Sequence, residues 1–254
     1  MVTNEVFPNP TVKQVIFQIR FPNLFSMEKM IGDYQIEIMD SFPNSQLLFQ
    51  QSFVIANVGP KTDLQEVQDK ADSGGVMKIW NFKSDTGVEL NVHTDSMDIS
   101  STLHKTYNNK TEKNRFRDTI AFTVGKFLDV VHVPKLTRIG LRYIDECPIK
   151  SKDNETFKKW YNSTFPLDRF PLEDVVDFNF NARIKKDECF LKFSESLQDN
   201  SKEIKFILDF DGYALNVDSG KYLAVADKLH ELISQEFCNS AKEPLFEYMR
   251  TPKE

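Results

Sequence analysis

The sequence predicts an α+β fold: two tandem β-α-β-meander-α halves forming a continuous antiparallel sheet with helices on one face. Three observations carry this reading. A five-residue strand signature occurs twice, as Phe17-Gln18-Ile19-Arg20-Phe21 and as Ile139-Gly140-Leu141-Arg142-Tyr143, its arginines 122 positions apart in 254 residues. Each arginine is followed at nearly equal distance by Phe-Pro, with Pro43 lying 23 and Pro166 lying 24 positions downstream. After each signature the hydrophobic period then runs in the same order of strand, helix, short strands and closing helix. The halves so defined are residues 1–134 and 135–254, the first with a polar insertion at 57–75.

The first strand is read from Val12 to Phe21, where Val15, Phe17, Ile19 and Phe21 alternate with Gln14, Gln18 and Arg20, and Pro22 stops it. Ser26 is placed as the N-cap of a helix carrying Met27, Met30, Ile31, Tyr34 and Ile38, which Phe42-Pro43 ends. Strands follow at Leu47 to Ile55, Val76 to Lys83, Val88 to His93 and Met97 to Leu103, with Asp85-Thr86-Gly87 as a turn. The insertion is read as a loop or one short helix from Thr62. A second helix presents Phe116, Ile120, Val124, Phe127, Leu128 and Val131 on one face. After Pro134 come a strand from Leu136 to Ile144 and a short helix with Phe157, Trp160 and Tyr161. Strands near Val175 to Ile184, Cys189 to Ser196 and Ile204 to Phe210 lead to a last helix. Its expected cap is Ser219, and Tyr222, Val225, Ala226, Leu229, Ile233 and Phe237 form its apolar face.

Composition narrows the function classes. With 40% hydrophobic and 28% charged residues the chain reads as an ordinary globular protein, and 22 phenylalanines supply its core. The net charge is −6, with 13 basic against 16 acidic residues before residue 135 and 19 against 22 after it. Neither half is a basic module, which weighs against a duplex-DNA binder that works by neutralising phosphates. Cys147, Cys189 and Cys238 form no C-x-x-C pair and read as reduced packing residues. No apolar run approaches the ~20 residues of a membrane span, and the N-terminus lacks a signal-peptide pattern, so a cytoplasmic location without membrane contact is expected.

The segments Pro10 to Phe21 and Arg138-Ile139-Gly140-Leu141-Arg142-Tyr143-Ile144-Asp145 resemble motifs of a sporadically distributed family of uncharacterised prokaryotic proteins of about this length. That family usually has a tyrosine, a tryptophan and a phenylalanine close together before the second helix. Here Tyr107 and Phe116 are separated by eight residues with no tryptophan. The resemblance carries no settled activity, and its patchy distribution implies accessory genes such as defence or toxin-antitoxin loci. The element order is also similar to TATA-binding-protein-like folds, a topological analogy that carries no function.

Candidate site residues fall into three groups. Arg20 and Arg142 occupy equivalent points of the two signatures, and with Arg138 and Asp145 they are the expected binding residues. Such arginines either staple the sheet internally or grip a carboxylate, which suits bidentate guanidinium geometry. Asp209 and Asp211 alternate on one strand and project from one face, the minimum geometry for a shared divalent ion. Lys105, Lys110, Lys113, Arg115 and Arg117 crowd a loop beside Tyr107 and Phe116, as a single-stranded nucleic-acid site would require. The four histidines are scattered singly, and no G-x-S-x-G turn marks a nucleophile. The sequence therefore weighs toward a non-enzymatic binding protein with a protein partner and no cofactor, in a defence or toxin-antitoxin setting. A metal-dependent hydrolase or nuclease using Asp209 and Asp211 and the single-stranded nucleic-acid binder stand as the alternatives. The oligomeric state is not legible.

Overall fold

A computed structural model describes residues 5–51, 76–104, 107–108, 115–200 and 203–252. The elements run β1 (Val12–Arg20), α1 (Met27–Ile38), β2 (Asn44–Gln51), β3 (Val76–Lys83), β4 (Glu89–Val92), β5 (Ser96–Ser101) and α2 (Phe116–Val130), followed by β6 (Lys135–Cys147), α3 (Asn154–Trp160), β7 (Asp177–Lys186), β8 (Cys189–Asp199), β9 (Ile204–Asp218), α4 (Tyr222–Ser240) and α5 (Glu243–Arg250). All nine strands join one sheet in the order β2-β3-β4-β5-β1-β6-β9-β8-β7. Every neighbouring pair is antiparallel. The first strands of the two sequence halves, β1 and β6, pair directly at its centre, so neither keeps a free edge.

Period-two alternation decides what each strand buries. Val15, Phe17 and Ile19 on β1, Ile139 and Leu141 on β6, and Phe206, Leu208 and Phe210 on β9 are all buried. Those faces coincide, because directly opposed residues in a ladder share one side of the sheet. The helices pack on that side. Tyr34 of α1 meets Phe82 edge-on and donates to the Thr123 carbonyl of α2, while Phe127 of α2 packs on Phe21. Phe157 of α3 meets Phe206, Phe237 of α4 meets Phe210, and Phe246 of α5 packs on Phe237. The opposite side carries no helix among the described residues, as one-sided antiparallel sheets allow.

The structure departs from the sequence-based expectations at element ends. β2 begins at Asn44, three residues before Leu47, and the expected strand beyond Gln51 and the insertion at 57–75 lie outside the described residues. β6 runs 13 residues and β9 runs 15, both longer than read. β9 continues through Gly212, where an added Cβ would sit 3.2 Å from Ile233 Cδ1, so the missing side chain lets α4 lie against the strand. Ser219 opens a 3₁₀ turn (Ser219–Lys221) rather than capping α4, and Ser26 makes no side-chain cap bond. Asp153 does cap α3, accepting from Thr156 N at 2.8 Å. α5 has no counterpart in the sequence reading. Pro244 sits in its first turn, and Leu245, Phe246 and Met249 bury one side of an eight-residue helix too short to carry a strong period.

Candidate binding site on the open face of the sheet

The same alternation that buries Phe17 and Leu141 turns Gln18, Arg20, Arg138 and Arg142 to the helix-free side. Register then sets their neighbours. Arg20 lies opposite Arg138, Gln18 opposite Gly140, and Arg142 opposite Ile16 across the β1/β6 pair. On the next strand Asp211 stands opposite Arg142 and Tyr213 opposite Gly140. A run of side-chain amides approaches from the other edge. Gln46 Nε2 donates to Asn81 Oδ1 at 2.9 Å, Asn81 Nδ2 to Asn91 Oδ1 at 2.7 Å, and Asn91 Nδ2 to Asp98 Oδ2 at 3.0 Å.

The arginines are held in fixed poses. Arg138 Nη2 donates to both Asp211 oxygens, at 2.7 and 3.0 Å, and its Nη1 reaches Gln18 Oε1 at 3.1 Å. Its guanidinium lies over the Tyr213 ring, 4.9 Å from the centroid. Gly140 makes this pose available, because a Cβ there would fall 2.3 Å from Arg138 Nη1. Arg142 forms a two-point pair with Asp209, Nε to Oδ1 at 2.8 Å and Nη2 to Oδ2 at 2.5 Å, and that hydrogen bonding raises its pKa further. Arg20 donates through Nε to the same Gln18 Oε1 at 2.9 Å and has no carboxylate partner among the described residues. One amide oxygen thus anchors two guanidiniums whose strand positions face each other.

The ring of Tyr213 stacks on Phe190 at 5.1 Å, and Arg183 lies 5.0 Å from the Phe190 centroid. Sequence reading singled out none of these three residues. Their signal was their parity with Asp211 and Lys192, but it takes the β7/β8/β9 register to turn that parity into a shared surface.

Of the expected binding residues, the structure brings Arg20, Arg138 and Arg142 together and separates Asp145 from them. Asp145 has the opposite parity on β6 and is 2% exposed beneath the helices, where it accepts from Thr11 Oγ1 at 2.7 Å. Burial pushes its carboxyl up to about 7, opposed by the Thr11 hydrogen bond. It cannot belong to the open-face site, because residues an odd number apart on a strand project to opposite sides.

Asp209 and Asp211 do share the open face, but each is engaged by an arginine, so a cation there would have to displace two guanidiniums. Among the described residues, no group of three or more His, Cys, Asp or Glu is placed to hold a metal. In the basic segment, Lys105, Lys110 and Lys113 lie outside the described residues. Arg115 pairs with Asp118 at 2.6 Å, and Arg117 pairs with Asp227 through Nε at 2.7 Å and Nη2 at 2.8 Å. Both cations are therefore tied to helices rather than offered to a phosphate chain.

A second polar cluster lies inside. Tyr107 donates to Asp227 Oδ1 at 2.9 Å and stacks on His230, whose Nδ1 is 3.3 Å from Tyr143 Oη. Burial holds His230 at about 4, a neutral imidazole, and raises the Tyr143 phenol. Burial also raises Asp227, but hydrogen bonds from Arg117 and Tyr107 outweigh it and leave that carboxyl below its usual range. The cluster fastens α4 to the segment before α2, a structural role. Cys147 is buried and free, its thiol pushed up by burial. No described helix is long and apolar enough to cross a membrane. Compared with known proteins, the chain matches no family model, no curated protein and no solved structure.

Proposed function

We propose that this chain is a non-enzymatic binding protein that engages a protein partner through the open face of its sheet, around Arg20, Arg138 and Arg142. The observation that carries the reading is the Gln18 anchor: two arginines opposite each other on adjacent strands, held by one amide oxygen at 2.9 and 3.1 Å, with Arg20 uncompensated by a carboxylate. Like charges directly opposed on a sheet are unfavourable, and such an arrangement suits a surface that receives an acidic group from outside. Preorganised guanidiniums lose little freedom on binding a carboxylate. Asp209 and Asp211 act as the clamps that orient Arg142 and Arg138.

The repeated signature and the shared order of strand, helix, antiparallel strands and closing helix support reading the two halves as a duplication with Arg20 and Arg142 at equivalent points. Among the described residues the first half carries one strand more and the second one helix more. The motifs' resemblance to the sporadically distributed prokaryotic family extends the proposal to an accessory cytoplasmic role in a defence or toxin-antitoxin module.

Two measurements test the reading together. The first is hydrogen–deuterium exchange of the wild type with a partner purified from the host, which is expected to protect β1, β6 and β9. Arg138→Ala and Gly140→Ala should each weaken that complex, the second by evicting Arg138 from its pose. The second is a hydrolysis screen against nucleotides, nucleic acids and esters with magnesium and manganese, expected to be blank. Metal-dependent turnover lost in Asp209→Ala would overturn the proposal.

A further inference from the structure

β7 ends the sheet on one side, and its hydrogen-bonding phase is fixed by one bond. Asp199 N donates to Val176 O at 2.8 Å, so Val176 and Asp199 form a bonded pair just before the ladder from Asp177↔Gln198 to Lys186↔Cys189. Bonded pairs alternate along an antiparallel ladder. Phe178, Phe180, Ala182 and Ile184 therefore spend their backbone groups on β8. Asp177, Asn179, Asn181, Arg183 and Lys185 point theirs away from the sheet, and no partner meets them among the described residues. The strand runs ten residues without proline, a long open edge of the kind proteins usually shorten, bulge or cover.

Its charge pattern is self-complementary. The acidic end, Asp177, and the basic end, Arg183 and Lys185, lie symmetrically about Asn181. We propose that a second copy of this chain covers the edge, β7 pairing antiparallel with β7 about a twofold axis through Asn181, so that two nine-stranded sheets become one. In this register Asp177 faces Lys185 of the second copy, Asn179 faces Arg183, and Asn181 faces itself. All five outward-pointing residues exchange bonded pairs. On the helix side, Phe180, a large apolar residue 39% exposed, lies opposite Ala182 of the second copy, and Phe178 lies opposite Ile184, so the bulky rings meet smaller neighbours.

The two nearest registers that keep the same hydrogen-bond phase are poorer. An axis through Ala182 sets Asp177 against Asp187 and Lys185 against Asn179. An axis through Phe180 pairs Asp177 with Arg183 but sets Phe180 against itself and carries Lys185 past the ladder to Val175. Neither Asp177 nor Lys185 has an ion-pair partner among the described residues, so the new pairing costs no existing one. An isologous interface of this kind closes after two copies and does not propagate. Because it consists mainly of one strand pair it is small, and micromolar association is expected. The proposal requires no partner at the arginine face, which Arg183 borders through Phe190 and Tyr213.

The test is sedimentation velocity on the full chain over a dilution series, with thermal melts confirming that each variant folds. The wild type should pass from dimer to monomer with dilution. Asn181→Pro, which removes an edge N–H and leaves the β8 ladder intact, should be monomeric throughout. Asp177→Lys and Lys185→Asp should each weaken association about tenfold, since every exposed pair is counted twice by symmetry and becomes repulsive. The double variant Asp177→Lys/Lys185→Asp should return to near wild-type association. A wild type that stays monomeric at all concentrations, a dimer indifferent to Asn181→Pro, or a double variant no better than its parents would each overturn the proposal.

Discussion

Asp145 and Arg142 sit three positions apart in one motif and have opposite fates, because strand parity decides which side a residue meets. Arg142 reaches the open face and a carboxylate, while Asp145 is sealed under α5 near Met249, with Thr11 as its hydrogen-bond donor. Its folded pKa, up to about 7, lies above the ordinary carboxylate value. The folded state therefore holds this proton across the window from about 4 to about 7 while the unfolded chain releases it, so this group's stabilisation is greatest below that window and is lost as pH rises through it. Asp145→Asn, which keeps an acceptor for Thr11 without the charge, should be more stable than wild type at pH 8, by no more than about 4 kcal/mol. The gain should shrink toward zero near pH 4. Urea titrations of both proteins at several pH values check this, and a pH-independent difference would show that the ionisation is not the cause.

At the scale of elements, the helix faces were legible because a period of 3.6 survives without tertiary information. Ile120, Val124 and Phe127 of α2 and Leu229 of α4 are fully buried, as their spacing implies, while Leu128, Val225 and Phe237 are only partly covered at the margins. Phe127→Ala and Leu229→Ala should each cost about 2–5 kcal/mol, and Leu128→Ala distinctly less, measured by chemical denaturation. Losses below about 0.5 kcal/mol at Phe127 would place that face outside the core. α5 escaped detection because two helical turns give too few positions to show a period, and its amphipathic face needs Phe237 beside it to have meaning. β9 looked shorter than it is because Gly212 reads as an interruption in isolation, whereas in the fold it admits Ile233.

Across the whole molecule, the two sequence halves are fastened at several levels. β1 pairs with β6 along nearly its full length, Arg117 and Tyr107 meet Asp227, and Tyr222 donates to the Ala121 carbonyl at 3.1 Å. Asn9 reaches the C-terminal helix through its backbone at 3.0 Å. Residues 1–134 or 135–254 expressed alone would expose a long central strand and lose these ties. Neither fragment should give a sharp thermal transition, although the intact chain should unfold in one cooperative step. A cooperative melt from either fragment, followed by circular dichroism, would show that the halves are separate folding units.

The amino-acid sequence by itself determined the order of elements from β1 to α4, the one-sided burial of the central strands β1, β6 and β9 and the projection of Asp209 and Asp211 to a common face, because these follow from periods of 2 and 3.6 along a local stretch. It also marked Arg20, Arg138 and Arg142 as exceptional polar residues within apolar strands. Only the tertiary structure decided their partners: Asp209 lies 67 positions from Arg142 and Asp211 lies 73 from Arg138. Contacts at such separations depend on strand order and register. Those are set by the packing of the whole chain and leave no periodic trace in any short segment. The Tyr213–Phe190–Arg183 stack, which three separate strands assemble, is likewise a tertiary outcome, whereas the separation of Asp145 from Arg138 and Arg142 follows from parity along one strand and belongs with what the sequence determined.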